Sequence, residues 1–150
     1  MSPKARVILL DPERGSMPLD TGEDSIMVMY GVGESEAASP PETISVGYHE
    51  DWDEMIYIDS GEGYFIHGEG PETMMKTPWK GPCLLWMAAK TYHRVVTTSP
   101  GKRRSILTYT RAGAVVPRFQ DAVKQGAKSL TVVFKGLPEG KPERAEPSPT

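Results

Sequence analysis

The residues best placed for chemistry are two glutamates four positions apart, Glu50 and Glu54, and one of the chain's three histidines, His93. In Ile44-Ser45-Val46-Gly47-Tyr48-His49-Glu50, the period-two alternation of an extended strand puts Ile44, Val46, Tyr48 and Glu50 on one face. Thr43, Ser45, Gly47 and His49 take the other. The apolar pair Ile44 and Val46 marks the first face as interior, so Glu50 is expected to point inward and His49 outward, unless a bulge around Asp51 to Asp53 turns His49 in. In the next run Glu54 shares parity with Ile56 and Ile58, which aims a second carboxylate at the same interior.

A buried carboxylate is costly unless it is paired or protonated. Two of them in one interior call for a metal, a cationic partner or a catalytic use; at a barrel mouth they would form only a solvated acidic rim. His93 shares a face with Val95, where a histidine also serves as a satisfied core residue. His67, next to Gly68 at a strand end, reads as structural or surface. Trp52, Trp79 and Trp86, with Met55, Met74, Met75 and Met87, can wall an apolar pocket or pack a core, and Trp86 and Tyr57 are the candidates for substrate contact.

The elements that must position these residues are short strands. Turn signals recur at Asp11-Pro12, Ser39-Pro40-Pro41, Asp59-Ser60-Gly61, Gly68 to Pro71, Gly81-Pro82 and Ser99-Pro100-Gly101. Between them β-prone runs cover 6–10, 25–30, 42–50, 54–59, 64–67, 83–87, 92–98 and 104–110. Gly31 to Pro41 reads as a polar loop. Pro117 can open a short helix that Gly126 closes, Leu130 to Phe134 reads as a last strand, and 136–150 is too rich in proline and charge to bury anything. The runs Ser25 to Tyr30 and Cys83 to Met87 are apolar on both faces, which suggests a homodimer.

Bulk properties narrow the function. A length of 150 residues suits one domain, and 38% hydrophobic with 25% charged residues is the composition of a folded chain. A net charge of −3 with no basic stripe argues against a nucleic-acid partner. No apolar run is long enough for a membrane span, and the N-terminal segment lacks a secretory signal, so a cytoplasmic location is expected. The lone Cys83 excludes an intrachain disulfide and a multi-cysteine zinc site, and reads as a small buried hydrophobe.

The segment GYHEDWDEMIYIDSGEG resembles the first motif of the cupin superfamily, and Gly81 to His93 resembles the second. Aligned on Glu54 to Gly61, the family's glutamate falls on Glu54 and its two first-motif histidines fall on Tyr48 and Glu50; the second-motif histidine falls on His93, with Ala88 at the usual proline. The resemblance covers about Glu42 to Thr110. It implies an all-β, double-stranded β-barrel of the jelly-roll type with one short C-terminal helix, a single domain over 1–135 and a disordered tail over 136–150.

It also implies a divalent metal held by Glu50, Glu54 and His93, with Tyr48 as a fourth candidate and His49 as the rival ligand. Such a set suits Fe(II), Mn(II) or Zn(II). The function expected is a metal-dependent isomerase, cyclase or lyase acting on an oxygenated small molecule, with Glu50 or Tyr48 moving the proton. An Fe(II) dioxygenase and a non-catalytic small-molecule-binding cupin are the alternatives.

Overall fold

The computed structural model describes residues 5–13, 15, 17–19, 26–111 and 129–147. Among them lie ten strands: β1 Met17–Leu19, β2 Ile26–Ser35, β3 Thr43–Gly47, β4 Trp52–Ile58, β5 Glu62–Gly68, β6 Met75–Lys80, β7 Cys83–Met87, β8 Tyr92–Thr97, β9 Gly101–Arg111 and β10 Ser129–Val133. They pair antiparallel in two five-stranded sheets, of order β1-β2-β9-β4-β7 and β10-β3-β8-β5-β6.

The all-β architecture follows from alternation. In β4, Trp52, Glu54, Ile56 and Ile58 are buried while Met55 and Tyr57 are exposed, and in β3 Ile44 and Val46 are buried while Thr43 and Ser45 are exposed. The buried face of β4 turns to the other sheet, whereas Ile44 and Val46 lie on the face of their own sheet opposite His93 and Phe65, because Gly47 pairs with His93 and Phe65 with Val95. Ile56 and Ile58 of β4 and Leu85 and Met87 of β7 pack against Phe65 of β5 and Trp79 of β6, joining the two sheets, with Cys83 partly buried at the margin. A second cluster of Ile44, Val46, Ile66, Met74 and Val132 lies against the sheet that supplies most of it.

Several expectations are corrected. Residues 6–10 form no strand, and Val7 and Leu9 are 88% and 89% exposed. The stretch after Gly31 is not a loop from its start, because β2 runs on to Ser35 in continuous register with β9. Strand β6 was not among the expected runs; it is an edge strand, where Pro78, a residue without an N–H, is tolerated. The helix expected from Pro117 to Gly126 lies outside the described residues, and the helical element among those described is the 3-10 turn Phe134–Gly136. The tail expected to be disordered from 136 is held as far as Gly140: the Lys76 amide donates to Pro138 O at 2.9 Å and the Gly140 amide to Lys76 O at 2.8 Å, while Leu137 packs on the second cluster.

Candidate metal centre

Strand β3 ends at Gly47 in one sheet and β4 begins at Trp52 in the other, so residues 48–51 form a link that crosses between sheets. Gly47 pairs with His93 and so faces the same side of the sheet, and His49 keeps that parity on entering the link. The position of the link is set by the β7–β8 turn, where the Ala89 amide donates to Asp53 Oδ1 at 2.8 Å and the Lys90 amide donates to His49 O at 2.8 Å. Lys90 takes a left-handed φ of 65° in making this turn, a conformation uncommon for a side-chain-bearing residue.

The result corrects the expected register. His49, not Glu50, points inward: His49 Nε2 lies 3.1 Å from Glu54 Oε1. Glu50 turns out, its side chain 38% exposed and its Oε1 3.9 Å from Lys90 Nζ. Tyr48 is buried, with its ring set edge-on against Tyr92 at 4.8 Å. Trp86 and Tyr57, the expected substrate contacts, lie on the outer face, 61% and 40% exposed, because Tyr57 alternates with inward Ile56 and Ile58 and Trp86 with inward Leu85 and Met87.

Glu54 is placed as its parity with Ile56 and Ile58 indicated, and is 2% exposed. His93 lies on the facing sheet with its Nε2 3.8 Å from Glu54 Oε1. The three residues that come together are thus His49, Glu54 and His93, with one donor atom from each within 4.8 Å of the others. His49 and His93 have ring centroids 5.3 Å apart.

The protonation pattern of His93 follows from its partner. Its Nδ1 is 2.8 Å from Thr91 O, and a carbonyl only accepts, so Nδ1 carries the hydrogen. Burial holds the His93 pKa below its ordinary value, against the Thr91 hydrogen bond and the Glu54 charge, which both pull it up. The neutral ring therefore turns the bare lone pair of Nε2 toward a buried carboxylate oxygen. Two acceptors facing each other are compatible when an electron-poor centre sits between them. A histidine whose second nitrogen is tied to a carbonyl is also the usual form of a metal-ligating imidazole.

Tyr109 of β9 completes the surroundings, and sequence reading missed it. Its hydroxyl hydrogen-bonds Glu54, and burial together with the Glu54 charge pushes the phenol pKa far above its ordinary value, so the phenol donates. Its ring stands edge-on to His49 at 5.3 Å. The signal was available in principle, since Tyr109 shares β9 parity with the inward Leu107. His67 also faces the interior: it pairs directly with His93 between β5 and β8, stacks on Phe65 at 5.0 Å, and its Nε2 lies 2.8 Å from Thr77 Oγ1.

No family model matches the chain, and neither does any curated protein. Solved structures do. A cupin 2 conserved barrel domain protein from Salinispora arenicola is 12% identical with a TM-score of 0.52, over 73% of this chain and 92% of that one. CapF, with an inhibitor, 3-isopropenyl-tropolone, is 14% identical with a TM-score of 0.52, over 85% of this chain and 34% of CapF. The capsular polysaccharide assembling protein CapF from Staphylococcus aureus gives 14% identity and a TM-score of 0.50, over 69% of this chain and 30% of that protein. The chain thus spans about a third of the CapF chains it matches. At such identities the fold is what is shared.

Proposed function

We propose that this chain, a cupin by its fold, is a small-molecule enzyme whose centre is a single divalent metal held by His49, Glu54 and His93. The observation that carries the reading is the bare Nε2 of His93, 3.8 Å from a carboxylate oxygen that is also 3.1 Å from His49 Nε2. Donors that share one ion at about 2.0–2.2 Å from each stand at such separations. Bound there, the metal supplies a Lewis acid for an oxygen atom of the substrate, or a site for oxygen activation where it is Fe(II).

Between the two chemistries, the donor set favours oxidation. Two histidines and one carboxylate are the ligands typical of non-haem Fe(II) oxygenases, and three protein donors leave coordination positions free. The isomerase, cyclase or lyase reading needs a residue to move a proton. Glu50 is turned to solvent and Tyr48 is packed on Tyr92, so neither is positioned for it. Tyr109 stays protonated on Glu54 and serves to hold that carboxylate. A non-catalytic binding role needs a ligand that donates a hydrogen to the His93 lone pair.

The reading extends to a homodimer. Leu84 and Trp86 of edge strand β7, Met55 and Tyr57 of β4 and Ile106 of β9 lie side by side on the outer face of one sheet, since Tyr57 pairs with Leu84 and Ile106, and Met55 with Trp86. An apolar face next to a strand edge left unpaired among the described residues fits a second copy around a two-fold axis. Among the described residues no helix is long and apolar enough to cross a membrane.

The reading is tested by metal analysis of untagged protein, followed by oxygen-consumption assays on the Fe(II)-loaded form. Metal bound in a one-to-one ratio, and lost in His93→Ala, is expected. Full retention of metal in that variant overturns it.

A further inference from the structure

Strand β9 carries a second inward charge at its other end. Leu107 and Tyr109 pack into the core, and the same alternation turns Ser105 and Arg103 inward while Lys102, Arg104 and Ile106 are exposed. Arg103 Nη1 donates to the hydroxyl of Thr97, which comes from β8 of the facing sheet. Among the described residues Arg103 makes no ion pair with a carboxylate. Arg103 is half-buried, so the hydration it gives up is not replaced by an opposite charge.

Arg103 lines a cavity of about 150 Å³ together with Ser35, Ser60, Thr97, Ser99 and Lys102. The walls are fixed by their own hydrogen bonds: Ser35 Oγ donates to Ser99 O at 2.9 Å, and Ser99 Oγ accepts from the Glu62 amide at 2.9 Å. The nearby Asp59 is engaged elsewhere, its Oδ1 accepting from Ser60 Oγ at 3.0 Å and from the Arg104 amide at 2.9 Å. Gly61, with φ of 97°, keeps the space open, since a Cβ there would come within 3.1 Å of Ser99 Oγ. Lys102 stands as a second cation, and among the described residues its one acid contact is Glu13 at 3.4 Å, a side chain 79% exposed. Such an exposed pair yields easily to a competing anion.

We infer that this cavity binds a small oxyanion, with the Arg103 guanidinium as its anchor and Lys102 as the second charge. The planar fork of arginine suits the paired oxygens of a phosphate or carboxylate group. The site is separate from the metal centre, because the six residues from Arg103 to Tyr109 along β9 span ~20 Å. The inference is independent of the metal reading.

The test uses the whole chain in phosphate-free buffer. Inorganic phosphate is titrated while melting temperature and heat of binding are followed, against chloride at equal ionic strength. A saturable rise in melting temperature with phosphate and none with chloride is expected. Arg103→Met should weaken the apparent Kd at least about tenfold, the effect of losing one charge-assisted hydrogen bond, and Lys102→Gln should weaken it by less. Relieved of an inward cation, Arg103→Met should also melt no lower than the parent without phosphate. Should that variant fail to fold, Lys102→Gln carries the test, since its side chain is 42% exposed. Parallel titrations with sulfate and acetate tell a tetrahedral oxyanion from a carboxylate. The absence of a saturable response to any of the three, or an equal phosphate response in parent and variants, overturns the inference.

Discussion

His49 Nε2 and Glu54 Oε1 are 3.1 Å apart although the two residues are separated by a crossing from one sheet to the other. The contact rests on a backbone bond, Lys90 N to His49 O, so the β7–β8 turn that leads into His93 also sets His49. The centre is thus assembled by one turn docking on one link. His49→Ala, Glu54→Gln and His93→Ala should each lower metal affinity by at least about 10–100-fold, the range seen even for residues one step removed from a metal. Glu50→Gln should change it little. Metal content after gel filtration of each variant checks this, and a Glu50→Gln loss as large as that of His49→Ala would count against the assignment.

The fold and two of the three residues of the centre were legible in the sequence for one physical reason: strands alternate. Glu54 follows from Ile56 and Ile58, and His93 from Val95. His49 was expected outward because the Ile44 and Val46 face was taken as the one that meets the centre. Those two residues pack with Ile66 on the opposite face of their sheet, while Gly47 pairs with His93, so the parity of Gly47 and His49 is the one that turns toward His93. Trp86 and Tyr57 were drawn toward a pocket by their chemical type, whereas alternation alone puts them outside. Arg103 was not singled out, although it shares the parity of Leu107 in β9.

His67 makes the stability of the metal-free protein depend on pH. Burial lowers its pKa below the 6.5 of the free side chain, and His93 is lowered by the same cause. Between 6.5 and the lowered folded values the unfolded chain binds protons that the folded chain refuses. Stability is therefore level above that window and falls as pH drops through it. Melting temperatures taken from about pH 7.5 to 5 should show this fall. His67→Asn, which keeps a partner for Thr77 and cannot titrate, should make it shallower; an unchanged slope would remove His67 from the account.

The outer sheet face gives a prediction about assembly. Leu84 and Trp86 are 62% and 61% exposed, so a charge at either position costs the single chain little. Sedimentation at micromolar concentration should show a dimer for the parent, and a monomer for Trp86→Glu with its metal content unchanged. A parent that sediments only as a monomer would remove the dimer.

Tyr109 is the residue whose substitution most directly separates holding the carboxylate from holding the metal. Its hydroxyl donates to Glu54, and its phenol does not ionise in the working range, because burial and the Glu54 charge both oppose the phenolate. Tyr109 therefore acts by orienting Glu54, as hydrogen bonds to ligating carboxylates do. Tyr109→Phe keeps the ring that lies edge-on to His49 at 5.3 Å and removes only the donor. The fold should survive, since ring packing is retained and the loss of one hydrogen bond to a charged group costs about 1.5–3 kcal/mol at most. Metal affinity should fall by about tenfold, well short of the loss in Glu54→Gln. The two effects are read separately, the first as melting temperature in chelator and the second as the chelator concentration that strips half of the metal. Equal stripping curves for Tyr109→Phe and the parent would show that Glu54 is held by the backbone of β4 alone.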